Sequence, residues 1–193
     1  MATPLTGTTL GGDMHALRVA IAVAWIVFWL YWWASAVGVK AGIRGRRRIP
    51  LTGLGPVTVL MSVGIFRDEN LAVRSPVLEA IGAVVLAFGI TLAVWARVHL
   101  GRNWGMPMSQ KADAELVTSG PYRFVRHPIY SGLLAGVLGT ALVTNLIDLI
   151  IVVVLGAYFY YSAFMEEKNL TATFPAAYPA YRTRTKMLIP FVL

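Results

Sequence analysis

Five stretches of the chain are long apolar runs, and its polar residues are gathered into the segments between them. The runs are Val19–Val39, Leu51–Phe66, Val77–Ala96, Pro128–Val143 and Leu146–Phe164. A bilayer core about 30 Å thick needs roughly 20 apolar residues in a helix, so each run is a candidate transmembrane helix. The first carries no charge and holds Trp25, Trp29, Trp32 and Trp33. Met1–Leu17 has no Lys or Arg, which does not fit the basic start of a secretory signal. The second run is short and holds Gly53, Gly55, Pro56 and Gly64, so a broken or tilted helix is expected. Only Thr144 and Asn145 separate the last two, which predicts a tight helical hairpin. Glu79 and Asp148 fall near run ends, where headgroup depth would suit them. The pattern predicts an all-α integral membrane bundle of five transmembrane helices.

Five spans put the termini on opposite sides, and charge orients them. All 17 lysines and arginines except Arg18, Arg67 and Arg74 fall on one side. By the positive-inside rule that side is cytosolic, with the N-terminus outside and the C-terminus inside. The expected location is a bacterial inner (plasma) membrane. The net charge of +8 is therefore the ordinary topological asymmetry rather than a nucleic-acid footprint, and Arg44–Arg48 would face anionic lipid headgroups. Composition agrees: the 193 residues are 57% hydrophobic and only 13% charged, against roughly 25% charged in soluble domains. There is no cysteine, which excludes disulfides, thiolate nucleophiles and Cys-ligated metals, and three scattered histidines make no metal site.

The same topology brings every chemically useful segment to one membrane surface. These are His99-Leu-Gly-Arg-Asn-Trp104, the stretch Ser119–Gly132, Glu166-Glu167 and the C-terminal tail. In Arg126-His127-Pro128, proline suits the first helical position and puts His127 near the N-cap. An anionic group would be favoured there by the helix N-terminus and by Arg126. Tyr122 and Tyr130 read as interfacial belt aromatics or as pocket walls, with the belt as the default. Adjacent glutamates on a helix point about 100° apart, so only one of Glu166 and Glu167 can comfortably face the bundle. That acid would pair with Arg126 or serve a zwitterionic ligand. Gly101 suits a left-handed C-cap and Arg102 the negative helix end. No glycine-rich dinucleotide fingerprint, P-loop or zinc-protease motif occurs.

Taken together, Leu100-Gly-Arg-Asn-Trp104, Leu116–Tyr130 with its Arg-His-Pro-x-Tyr element, Glu166-Glu167, Tyr178 and Tyr181 resemble the isoprenylcysteine carboxyl methyltransferase family and the related integral-membrane phospholipid methyltransferases. The resemblance covers roughly residues 95–193. It implies three N-terminal transmembrane helices in 1–97 and a cofactor-binding catalytic part in 98–193, within one domain. It further implies S-adenosylmethionine in a cytosolic pocket covered by the C-terminal segment, and a lipid-like substrate entering from the bilayer. Matched position by position, His127, Pro128, Tyr130, Tyr122, Asn103, Trp104, Glu166, Glu167, Tyr178 and Tyr181 would surround the cofactor, and Leu188-Ile-Pro190 would belong to the covering tail. Arg126 and Glu167 would be catalytic, the first orienting an acceptor carboxylate and the second serving as base for an acceptor amine.

Methyl transfer from a sulfonium requires no metal and no covalent enzyme intermediate, only donor and acceptor held about 3–3.5 Å apart away from water. The acceptor could be the carboxylate of a prenylated-cysteine-like compound or the amine of a phospholipid. Two rival readings stay open: a sterol-type membrane reductase using NADPH, and a small transporter or scaffold. The latter should show broken helices or midplane charges in repeated halves, and no such repeat is visible.

Overall fold

The closest helix contact in the structure is backbone against backbone. Gly82 and Gly89 of α3 (Pro76–Leu100) face Gly132, Gly136 and Gly139 of α4 (Pro128–Val143). A methyl group built on Gly89 would lie 2.3 Å from the Gly136 nitrogen and 2.6 Å from the Gly132 oxygen. Small residues permit this approach, which replaces the missing hydrophobic drive in lipid with van der Waals contact. The computed structural model describes residues 9–35, 42–43, 54–65, 68–104, 110–111 and 115–190. Around the α3–α4 pair lie α1 (Thr9–Ala34), α2 (Leu54–Val63), α5 (Leu149–Thr173) and the short α6 (Ala177–Arg182).

The tryptophans of α1 tie it to α4 and to α2. Buried indole N–H groups need acceptors; Trp25 donates to Thr140 of α4 at 2.9 Å and Trp29 to Thr58 of α2 at 3.0 Å. Trp33 of the same helix is exposed, on the side left for lipid.

Three helices, His15–Ala34, Pro76–Leu100 and Leu146–Thr173 with its leading 3₁₀ turn, are long and apolar enough to cross a membrane. Among the described residues the other two expected spans are shorter, 10 residues in α2 and 16 in α4. At 1.5 Å per residue these reach about 15 and 24 Å, short of a 30 Å core. The fifth run extends as unbroken helix to Thr173, so Glu166 and Glu167 sit inside α5 rather than at its end.

The hairpin between α4 and α5 has the short connection that the sequence predicts, yet α4 packs its glycine face on α3. Contacts of α5 with α4 that bear on the site lie near its C-terminal part, where Phe159 stacks on Tyr130 at 4.6 Å. At the connection, Asn145 donates to Asp68 O at 2.8 Å, and Leu71 and Leu146 share a backbone bond at 2.9 Å. Asp148, expected at headgroup depth, is 1% exposed within the protein, its carboxylate accepting from Thr144 at 3.1 Å. The 68–75 loop pairs with this turn a second time, Val73 N donating to Thr144 O at 3.4 Å.

At the opposite end the C-termini of α1, α3 and α5 and the N-terminus of α4 converge. Arg97 is 4% exposed; it donates to Ser35 O beyond α1 and to Gly101 O at 2.9 Å, and lies 4.6 Å over Trp104. Trp104 in turn meets Trp32 edge-on. Gly101 caps α3 with a positive φ of 54°, but its ψ of −128° lies outside the left-handed helical conformation expected; the Arg102 side chain and Arg44–Arg48 lie outside the described residues. Gly42–Ile43 (β1) pairs antiparallel with Gln110–Lys111 (β2), so two of the segments assigned to the cytosolic face do meet.

Candidate functional site

Pro128 at the first position of α4 fixes His127 as its N-cap residue. The ring of His127 therefore hangs at the mouth of the α4–α5 crevice. It stacks on Tyr130 at 5.5 Å, and Tyr130 stacks on Phe159, forming a three-ring column. The two glutamates reach the imidazole from α5. Glu166 Oε2 lies 3.4 Å from Nδ1, and Glu167 Oε1 lies 3.6 Å from Nε2. The expectation that only one glutamate faces the bundle is thus half met. Glu167 is buried at 4% exposure, while Glu166, partly exposed, still turns inward to accept from the Tyr130 hydroxyl at 2.5 Å. Long side chains bring together what the 100° separation of their Cβ atoms sets apart.

Glu167 also accepts from Arg126 Nε at 2.6 Å and lies 3.4 Å from Arg182 Nε. Arg126 donates a second bond to the Thr185 carbonyl, so its guanidinium ties α5 to the tail. Backbone bonds complete the seam: Arg126 N to Lys186 O at 2.8 Å and His127 N to Met187 O at 3.1 Å. Ser131 adds a hydroxyl bond to Leu188 O at 2.5 Å. The Tyr181 hydroxyl donates to Tyr122 O at 2.5 Å, and Tyr178 meets Tyr181 edge-on.

The electrostatics follow from this packing. Burial opposes a charge on His127, but Glu166 and Glu167 outweigh it and hold the imidazole pKa above its ordinary value. Burial pushes the Tyr181 phenol up to about 12, and burial with the nearby Glu167 raises Tyr178 as well. Both phenols are neutral donors at physiological pH. Of the seven buried side-chain polar atoms without a hydrogen-bond partner among the described residues, two belong to this cluster: His127 Nε2, which has only the 3.6 Å approach of Glu167, and the Tyr178 hydroxyl. Such atoms are costly unless something pairs with them. A ligand carrying both an ammonium and a carboxylate finds acids, cations and unpaired polar atoms within this one cluster.

The predicted residues divide into two groups. Arg126, His127, Pro128, Tyr130, Glu166 and Glu167 meet directly, with Tyr122, Tyr178 and Tyr181 behind them. Tyr122 and Tyr130 are 7% and 5% exposed, so neither is a belt aromatic. Both hydroxyls are engaged inside the protein, which the apolar surroundings of a single sequence window do not reveal. Asn103 and Trp104 stand apart: Asn103 donates to Glu115 at 3.0 Å, and Trp104 packs on Trp32 and Arg97. Their visible work is to fix the α3 end, which His99 then joins to Ser119 by a 2.8 Å bond. Arg182, Thr185, Ser131 and Phe159 were not foreseen. Arg182, next to Tyr181, and Ser131, within the Ser119–Gly132 stretch, left a trace in the sequence.

Residues 77–177, just over half of the chain, match the model of the phospholipid methyltransferase family. The chain belongs to that family. A cobalt-zinc-cadmium resistance protein of Cupriavidus metallidurans is 33% identical over 119 residues, covering 60% of this chain and 50% of that protein. The protein-S-isoprenylcysteine O-methyltransferase B of Arabidopsis thaliana is 30% identical over 166 residues, 75% of this chain and 84% of the plant protein. This family member thus spans only about half the length of its metal-resistance relative. A solved eukaryotic intramembrane Ras methyltransferase, an isoprenylcysteine carboxyl methyltransferase, superposes with a TM-score of 0.55 at 19% identity. It covers 97% of this chain and 55% of that one, a likeness of fold. With three helices of membrane-spanning length, this family member is an integral membrane protein.

Proposed function

We propose that this protein is an S-adenosylmethionine-dependent methyltransferase acting on a lipid-like acceptor at the cytosolic face of a bacterial inner membrane. The observation that carries this reading is the cluster of buried His127 and Glu167 with half-buried Glu166 beneath the Tyr178–Leu188 tail, in which His127 Nε2 and the Tyr178 hydroxyl make no hydrogen bond to the described residues. When bound, S-adenosylmethionine supplies an electrophilic methyl group on a sulfonium. Glu166 and Glu167 would hold its ammonium, and His127 with the α4 N-terminus its carboxylate. Tyr178, Tyr181 and the tail seam would exclude water. Arg126 lies where an amphipathic acceptor arriving along α5 would present its polar head; a guanidinium can orient an oxyanion with two parallel bonds. Glu167 is the candidate base should the accepting atom be an amine. The expected topology, N-terminus outside and residues 98–127 and 166–193 inside, gives that acceptor a sideways path from the lipid.

Calorimetry on purified protein tests the cofactor assignment. Wild type should bind S-adenosylhomocysteine and not NADPH, and His127→Ala or Glu166→Gln should weaken binding by roughly ten- to a hundredfold. This corresponds to about 1.5–3 kcal/mol for a lost charged hydrogen bond. Binding of NADPH instead would transfer the site to a reductase, and unchanged affinity in both variants would reduce the cluster to a structural knot.

A further inference from the structure

Beside the carboxylate cluster, on the outer side of Arg126, opens a groove of about 500 Å³ between the 123–126 segment, α5 and the 182–190 tail. Its cations are Arg123, Arg126, Arg182, Arg184 and Lys186, and among the described residues no acid lines it. Glu167, behind its wall, is shared by Arg126 and Arg182. Arg123, Arg184 and Lys186 are exposed, and no ion pair with an acid is seen for them among the described residues. The rim is apolar: Phe124 and Tyr160 are 51% and 48% exposed. Tyr160 continues into exposed Phe164 and Val153 on α5, a helix of membrane-spanning length. One end of the groove is therefore strongly cationic and the other is continuous with a lipid-facing surface.

Resting on the methyltransferase reading, we propose that this groove seats the headgroup of the acceptor, and that the headgroup is a dianion such as a lipid phosphate monoester. A phosphate oxygen would then be the nucleophile: its bond to the methyl carbon forms as the sulfur–methyl bond of the sulfonium breaks, leaving a neutral thioether and a methyl phosphodiester. A sulfonium cofactor is repelled by such a lining, so the groove suits the acceptor. A zwitterionic headgroup brings its own ammonium against at least three unpaired cations. A single carboxylate satisfies one guanidinium and leaves the rest uncompensated. A phosphate monoester carries between −1.5 and −2 charges near pH 7 and three acceptor oxygens, and can take bidentate bonds from more than one arginine. Its acyl or prenyl chain would lie along Tyr160 and Phe164 in the bilayer.

The test uses the full chain in phosphatidylcholine nanodiscs, titrated calorimetrically with four probes: decyl phosphate, decylphosphocholine, decanoate and inorganic phosphate. Decyl phosphate should bind at least tenfold more tightly than each of the others. Arg184→Gln/Lys186→Gln, both exposed positions, should lose at least tenfold of that affinity. S-adenosylhomocysteine affinity should stay within twofold. A control, Arg74→Gln/Lys168→Gln, removes the same charge elsewhere and should leave decyl phosphate binding intact. Equal binding of decyl phosphate and decylphosphocholine or decanoate would overturn the dianion. Inorganic phosphate binding as tightly as decyl phosphate would make the groove a site for a soluble anion. Equal loss in the control pair would reduce the effect to net charge. A parallel loss of S-adenosylhomocysteine in the groove variant would assign the groove to the cofactor. Wild type that ignores S-adenosylhomocysteine but still selects decyl phosphate would refute the methyl-donor reading separately.

Discussion

Gly89→Ala should be among the most damaging single-methyl changes in the chain, although alanine is the better helix former. Its methyl would sit 2.3 Å from Gly136 N, 2.6 Å from Gly132 O and 2.9 Å from Ala135 C, all backbone atoms of α4. No side chain can rotate away. Carbon contacts relax only near 3.5–4.0 Å, so the two helices must part by roughly 1 Å or more. Overpacking of this kind costs about 1–3 kcal/mol. Helix propensity returns at most about 1 kcal/mol, and that gain is what Gly156→Ala isolates, because a methyl at Gly156 meets nothing within 4 Å. The displacement also reaches the site, since α4 begins at Pro128 and carries His127 on its cap. Unfolding of both variants in detergent, followed by intrinsic tryptophan fluorescence, gives the comparison. Gly89→Ala should be destabilised and should bind S-adenosylhomocysteine more weakly, while Gly156→Ala should match or exceed wild type. Equal stability of the two would mean that α3 and α4 do not pack through their glycines.

Two other expectations concern charge. Glu166 and Glu167 raise the folded-state pKa of His127 above its unfolded value near 6.5. The stability it contributes is therefore complete below about pH 6.5 and is lost as pH rises through the folded value. The difference in midpoint between wild type and His127→Gln should shrink on the alkaline side; a difference that grows there contradicts the assignment. For topology, a cysteine placed at Lys111 in this cysteine-free chain should be silent to an impermeant maleimide on intact cells and reactive in inverted vesicles. Labelling from outside would reverse the orientation and remove the cytosolic site.

Much of the architecture follows from one-dimensional patterns. Long apolar runs fix where helices lie because a backbone in lipid must satisfy its own hydrogen bonds. Pro128 fixes where α4 starts, and the absence of cysteine narrows the chemistry. Those rules are local, which is why the bounds of α4 were legible to the residue and the Arg-His-Pro-x-Tyr element stood out. What they could not supply is who faces whom. That α4 seals against α3 rather than α5 depends on glycines 43 to 57 residues apart coming into register. That both glutamates reach one imidazole depends on side-chain length and on α5 running unbroken past them. The turn that holds the buried Asp148 is paired to a loop far back in the sequence, and Trp104 braces a helix end against Arg97 and Trp32. Periodicity and composition report the solvent each residue prefers. Partnership between residues far apart is an energy of the assembled structure, decided by which surfaces can approach closely enough to pair their polar atoms.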